Sequence, residues 1–425
     1  MKNKIAIIGL GYVGLPLAIE FSKKYQVVAY DKNYNRISEL QNGYDRTKEI
    51  NKINTRLIKF TQNSKDIKNC NIYIVTVPTP VDKKNIPDLS MIKDASKIVG
   101  KHVKKNNLVI YESTVYPGAT NEISIPILEK KSKIFCHNDR YKKKNYFLCG
   151  YSPERINPGD KQKTLKRIKK LVSGSSKKSL LVVKKLYESI GIDTYSTKNI
   201  KIAEAAKIIE NTQRDLNIAL INELSIIFDK MNLNTYEILK AASTKWNFLN
   251  FKPGLVGGHC IGVDPYYLTH ATKKIGYNPK LILAGRKIND NMSSYVFSKF
   301  QKKIKEKKID KKQIKVLLMG ITFKEDCPDI RNSKSYDLYK QLIKNKYSVD
   351  VLDPNASKID VKSYYNIILH NKPNYNYYDA ILIVLANKKF KQMGIKNIVK
   401  YARKKRVIFD LKNLFDNHKL IDCTI

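Results

Sequence analysis

The chain has 425 residues, 42% of them hydrophobic, enough for two or three domains with substantial cores and too apolar for a disordered chain. Its 80 Lys and Arg against 38 Asp and Glu give a formal net charge of +42, but the excess is mostly lysine in runs such as YKKKNY and QKKIKEKKIDKKQIK between apolar segments. That is the pattern of solvated faces, so specific nucleic-acid binding is not expected, and no apolar run long enough to span a bilayer or to act as a signal peptide is present, so a soluble cytoplasmic protein without membrane insertion is expected.

KIAIIGLGYVGLPLAIEFSKKYQVVAYD reads as strand, glycine turn, helix and strand. Gly9, Gly11 and Gly14 stand in G-x-G-x-x-G spacing, with Tyr12 and Val13 between them. Glycines there let the backbone turn tightly and approach a pyrophosphate, which meets amide N–H groups at a helix N-terminus. Asp31 ends the second strand, where a carboxylate accepts ribose hydroxyls and repels a 2'-phosphate. NAD is therefore expected over NADP, a preference that Lys32 or Arg36 would soften.

Apolar runs recur at NIYIVTVPTP, NNLVIYEST and YFLCGYSPE, with polar stretches of helical length between them, the alternation of a parallel doubly wound sheet. This first domain is placed at residues 1–198. NIKIAEAAKIIENTQRDLNIALINELSIIFDKMNLN follows, with neither glycine nor proline, and predicts a helix about 45 Å long. It suits an interdomain spine or a dimer contact, and an ordinary core helix is equally compatible with the pattern. A central segment is placed at 199–300. Strand patterns restart at IKVLLMGITFK, YSVDVLDP, DAILIVLA and RVIFDL, a second unit at 301–425. The fold class is α/β: two Rossmann-like doubly wound domains joined by a long central helix, with ligand sites expected at strand carboxyl ends and between domains.

The six cysteines and six histidines show no C-x-x-C or H-E-x-x-H spacing, so neither a disulfide framework nor a metal is expected. Cys260 stands apart in GLVGGHCIGVDPYYL, behind paired glycines and four residues before Asp264. The blander reading is a small buried side chain beside a turn.

GLGYVGLPLA, VTVPTP, EST followed by PG, GYSPERINPGD, AEAAKIIENTQRDLNIALINEL, GGHCIGVDPYYL, GRKIND and FKEDCPDIRNS occur in the order found in the nucleotide-sugar 6-dehydrogenases, the UDP-glucose/GDP-mannose dehydrogenase family, which the chain resembles over nearly its whole length. The resemblance implies NAD-dependent oxidation of the C6 alcohol of a nucleotide-linked hexose to a carboxylate. The wording around SPERINPGD and VGGHCIGVDPYYL is most similar to the branch acting on UDP-N-acetylglucosamine or UDP-N-acetylgalactosamine. It also implies a homodimer serving surface polysaccharide synthesis.

On this resemblance Cys260 is the nucleophile, trapping the intermediate aldehyde as a thiohemiacetal that becomes a thioester. Lys207 and Asn211, four apart on one helix face, would meet the oxyanions. Asp264, Glu154 and Thr114 would activate or position water. The implied cofactor contacts are Gly9, Gly11, Tyr12, Val13, Gly14, Asp31, Arg36, Thr79, Thr114 and Arg331. The implied substrate contacts are Glu154, Arg155, Lys207, Asn211, Lys252, Gly257 and Lys324, with Arg286 in GRKIND a further basic residue of the pattern. The residues alone leave open a solvated charge for Lys207, a salt bridge to its neighbour for Glu154, a strand-end hydroxyl for Thr114 and a turn cap for Asp264. Where UDP-glucose-specific relatives place an arginine upstream of the cysteine, STKWNFLNFKPG has lysines only, which weakens a UDP-glucose assignment. UDP-glucose or UDP-N-acetylmannosamine oxidation and a non-catalytic NAD or nucleotide-sugar binder are the alternatives. The joint presence of Cys260, Lys207, Asn211 and Asp264 speaks against the binder.

Overall fold

The computed structural model describes residues 3–47, 49–50, 53, 57–82, 84–139, 144–156, 165–309 and 312–425. The apolar runs form two separate sheets, one in each of two units: Met1–Glu210 with Tyr266–Asn278, and Asn211–Pro265 with Pro279–Ile425.

In the first unit the strands are β1 (Lys4–Ile8), β2 (Gln26–Tyr30), β3 (Ile58–Thr61), β4 (Ile72–Val75), β5 (Leu108–Tyr111), β6 (Phe135–Cys136), β7 (Tyr146–Tyr151), β8 (Lys170–Gly174) and β9 (Thr194–Ser196). They pair in the order β3-β2-β1-β4-β5-β7-β8-β9, with β6 beside β7. Every residue of β4 and β5 is buried, as expected where helices cover both faces of a parallel sheet. The covering helices are α1 (Gly14–Ser22), α2 (Tyr34–Gln41), α3 (Ser90–Gly100), α4 (Ile125–Ser132) and α5 (Lys177–Glu188). Leu15 and Phe21 of α1 and Val183 and Leu186 of α5 join Ile5 and Ile7 of β1 in one core. One pair departs from the uniformly parallel sheet that the alternation predicts. β7 and β8 run antiparallel, with Gly150 opposite Gly174. A parallel return needs a crossover with an apolar face to lay on the sheet, and SPERINPGDKQKTLKRIK offers none.

The glycine-free stretch is a single helix, α6 (Ile200–Lys230), of 31 residues. The boundary between the two units falls within it, after Glu210.

In the second unit α7 (Thr235–Ala242) and α9 (Lys280–Glu306) precede a parallel four-stranded sheet ordered β11-β10-β12-β13, while α8 (Asp264–Lys274) starts in the second unit and from Tyr266 on belongs to the first. Its strands are β10 (Lys315–Met319), β11 (Ser348–Leu352), β12 (Tyr378–Ile383) and β13 (Ala402–Asp410), and its helices α10 (Lys334–Lys344), α11 (Lys358–Tyr365), α12 (Lys388–Met393) and α13 (Ile395–Ile398). Alternate strand residues face opposite ways. Leu318, Leu382 and Phe409 pack with Phe300 of α9 and Leu342 of α10, while Leu317, Ile381 and Ile408 pack with Phe390 and Ile398. Among the described residues no helix is long and apolar enough to cross a membrane.

Candidate functional site

The glycine loop links β1 to α1, and its three glycines have different physical reasons. Gly9 adopts φ +96°, a conformation that side chains disfavour, and a Cβ on Gly14 would stand 1.9 Å from the Gly9 carbonyl oxygen. Gly11 is different: a Cβ there would meet nothing within 4 Å. The fold does not demand a glycine at this exposed position, whereas a pyrophosphate resting on the loop would. Tyr12 and Val13 are half-buried, Val13 against the core of the unit. Asp31 stands at the end of β2, one carboxylate oxygen accepting the Leu10 amide at 2.8 Å and the other the Asn33 amide at 2.9 Å. Each oxygen retains a lone pair for a ribose hydroxyl. Arg36 is buried, its guanidinium donating to the Leu10 carbonyl and to Asp45, both at 2.8 Å, so it braces the loop from beneath. The loop and Asp31 thus fit a dinucleotide.

Beyond the carboxyl ends of β4 and β5, the Thr79 hydroxyl donates to the Thr114 carbonyl at 2.7 Å, and the Tyr267 hydroxyl to the Thr79 carbonyl at 2.6 Å. Glu154 follows β7, with one oxygen accepting the Arg155 and Ile156 amides at 2.6 Å each. Arg155 pairs with Glu210 of α6 at 2.7 Å, rather than with its neighbour Glu154. Lys207 is only 8% exposed, which sets aside the solvated-charge reading.

Two features of this unit were not singled out in the sequence. One turn before Lys207, the buried Glu204 accepts the amides of Gly118 and Thr120 at 2.5 and 2.9 Å. Burial pushes its carboxyl up to about 7, against those amides. Glu112, the first letter of EST, is buried against Lys170 and the Tyr187 hydroxyl. Neither partnership has a local signal, since each is made across dozens of residues of chain.

In the second unit, the Cys260 carbonyl accepts the amides of Val263 and Asp264 at 3.3 and 2.9 Å, forming the turn into α8. Cys260 is reduced and exposed, contrary to the buried-thiol alternative. Asp264 and Asn211 are both buried, and the Asn211 side-chain amide donates to the Asp264 carboxylate at 2.5 Å. That bond makes Asp264 more than a turn cap. The glycines before the cysteine are required by the fold itself. A Cβ on Gly257 would lie 2.6 Å from the Asn332 carbonyl oxygen, and one on Gly258, at φ +81°, 2.5 Å from the Phe323 ring. It is the chain itself that approaches closely. Burial, with Arg331 nearby, pushes His259 down to about 4, so its ring is neutral beside the thiol-bearing residue.

Arg331 forms a two-pronged pair with Asp329 at 2.9 and 2.7 Å, and Lys324 lies over the Phe323 ring, 5.4 Å from its centre. Lys252 is exposed. Arg286 is buried in an ion pair with Asp215 of α6 at 2.7 Å, which makes it a clamp between α9 and α6. Among the described residues no cluster of three or more His, Cys, Asp or Glu could hold a metal.

Comparison with known proteins agrees with this geometry. The UDP-glucose/GDP-mannose dehydrogenase family's NAD binding domain matches residues 3–191, its central domain 201–291 and its UDP binding domain 317–417. The chain is 51% identical to the UDP-N-acetyl-D-glucosamine 6-dehydrogenase of Pseudomonas aeruginosa, covering 99% of each. It is 50% identical to the protein of the same name from Salmonella typhi, covering 96% of each. Its structure is similar to that of the UDP-D-ManNAc dehydrogenase of Pyrococcus horikoshii, with TM-score 0.85 and 30% identity over 97% of this chain and 96% of that one. With all three of its domains matched in order, the chain belongs to the UDP-glucose/GDP-mannose dehydrogenase family.

Proposed function

We propose that the protein is a UDP-N-acetylhexosamine 6-dehydrogenase, oxidising the C6 alcohol of UDP-N-acetylglucosamine to the uronate with NAD as acceptor. The observation that carries the reading is the exposed thiol of Cys260 on the turn into α8, beside an Asp264 that is bonded to Asn211. The two relatives at 51% and 50% identity favour the gluco sugar, with UDP-N-acetylgalactosamine the nearest alternative. In this reading three functional segments lie at 1–198, 199–300 and 301–425.

NAD, when bound, supplies the two-electron acceptor for each of two successive oxidations. Amides of the Gly9–Gly14 loop would hold its pyrophosphate and Asp31 its ribose, with Thr79, Thr114 and Arg331 as further contacts. Once the alcohol is an aldehyde, the Cys260 sulfur adds to its carbonyl carbon, and Lys207 and Asn211 meet the oxyanion that forms. Loss of the second hydride leaves a thioester. Water, giving its proton to Glu154 with Thr114 and Asp264 positioning it, adds to the thioester carbonyl. The carbon–sulfur bond then breaks, restoring the Cys260 thiol and releasing the carboxylate. Alcohol, two NAD and water thus give carboxylate, two NADH and three protons. Arg155, Lys252, Gly257 and Lys324 are assigned to the nucleotide sugar.

The protein acts as a cytoplasmic homodimer in surface polysaccharide synthesis. The dimer is supported by one stripe along α6, where Ile202, Ile209, Leu220 and Ile227 are 45, 55, 53 and 43% exposed at spacings that keep them on one side of the helix. A panel of UDP-N-acetylglucosamine, UDP-N-acetylgalactosamine, UDP-N-acetylmannosamine and UDP-glucose with NAD, followed by NADH absorbance, tests the assignment. Highest kcat/KM with UDP-N-acetylglucosamine supports it, and highest kcat/KM with UDP-N-acetylgalactosamine keeps the reaction but supports the alternative sugar. Preference for either of the other two overturns it.

A further inference from the structure

Behind Glu154 lies a buried set of charges that the reaction above does not use. Glu112 directly follows β5 and is 1% exposed, while Lys170 opens β8 and is 3% exposed. The Lys170 ammonium stands 2.7 Å from one Glu112 oxygen and 4.0 Å from Glu154 Oε2, and it donates to the Pro153 carbonyl at 3.4 Å. The other Glu112 oxygen accepts the Tyr187 hydroxyl from α5. One ammonium therefore serves two carboxylates and the backbone of the residue before Glu154. The contact passes across the end of β7, the strand that lies between β5 and β8 and delivers Glu154. Among the described residues a further charge beside Glu154 is Arg155, committed to Glu210 of α6 and to the Lys169 carbonyl.

Cohesion of the sheet is a poor reason for this arrangement. Buried ion pairs are costly to desolvate, and apolar residues of similar volume usually hold elements together as well. Burial raises the Glu112 carboxyl, the Lys170 ammonium against it lowers it, and the charge of Glu154 raises it again. The two carboxylates are thus electrostatically linked through the shared lysine.

We propose that Glu112 and Lys170 are positioning residues for Glu154: Lys170 holds and charge-balances its carboxylate, and Glu112, gripped by Tyr187, holds Lys170 and offsets its charge. The proposal rests on Glu154 accepting the proton of the hydrolytic water. It makes a prediction of sign that a structural pair does not. Glu112→Gln leaves the lysine uncompensated beside Glu154, favours the carboxylate, and moves the acid limb of kcat to lower pH. Lys170→Met removes the cation that favours the Glu154 carboxylate, which moves the limb to higher pH.

The test is the pH profile of kcat with UDP-N-acetylglucosamine and NAD for the parent, Glu112→Gln, Lys170→Met and Lys170→Arg, each checked for folding by circular dichroism. Opposite displacements of roughly half a pH unit or more for the first two variants, with Lys170→Arg restored toward the parent, are expected. Unmoved limbs, or limbs displaced the same way, overturn the proposal while leaving the dehydrogenase reading intact. If Lys170→Met does not fold, the near-isosteric Glu112→Gln decides alone, and an unmoved limb overturns the proposal. A parent without turnover on any UDP-sugar overturns both.

Discussion

Gly11 and Lys207 are the residues at which a functional demand separates most cleanly from a structural one. A methyl group on Gly11 meets nothing in the protein, so Gly11→Ala should change stability by less than about 0.5 kcal/mol. It should still weaken NAD binding at least several-fold, measured by fluorescence titration with NADH alongside urea unfolding. Unchanged NADH affinity would return Gly11 to an incidental turn glycine. Gly14 could not be tested in this way, because its Cβ would collide with the Gly9 carbonyl. Lys207→Ala removes a buried cation assigned to the oxyanions, and the expected loss is roughly 10²-fold or more in kcat with little change in NADH affinity. A near-parental kcat would leave Lys207 with only a packing role. Arg36 shows what an isolated residue does not reveal: its guanidinium also donates to the Leu10 carbonyl and to Asp45, contacts that no local signal marks.

Among the elements, α6 carries the most information. Its length was legible because 31 residues without glycine or proline have few other options, and the one-face spacing of Lys207 and Asn211 followed from that. What holds the helix was not legible. Glu204 grips the amides of Gly118 and Thr120, more than 80 residues earlier in the chain, and nothing local in AEAAK marks it. Glu204→Ala should leave both buried amides without their acceptor and destabilise the protein by about 1–3 kcal/mol, read from urea unfolding. A loss below about 0.5 kcal/mol would mean that water or a neighbour replaces the carboxylate. The antiparallel pairing of β7 with β8 escaped for a related reason. Apolar runs reveal strands but not their direction, which depends on whether the connecting stretch can cover the sheet. The paired glycines before Cys260 stand out in the sequence. Which partner comes close, here Phe323 and Asn332, depends on contacts made over 60 residues away.

For the whole molecule, the exposed stripe on α6 predicts self-association. Leu220→Glu places a charge in that stripe and should convert a dimer to a monomer in sedimentation velocity, with the circular dichroism spectrum unchanged. A parent that is monomeric at micromolar concentration would contradict the proposed dimer. The central claim is different and concerns chemistry: a cysteine that keeps the first product bound makes the reaction a four-electron oxidation without free aldehyde. Its most direct measurement is the number of NADH formed per UDP-N-acetylglucosamine consumed, with the sugar limiting and the products separated by anion-exchange chromatography. The expected result is two NADH for each uronate, with no aldehyde detected. One NADH per sugar, with the aldehyde released, would contradict it.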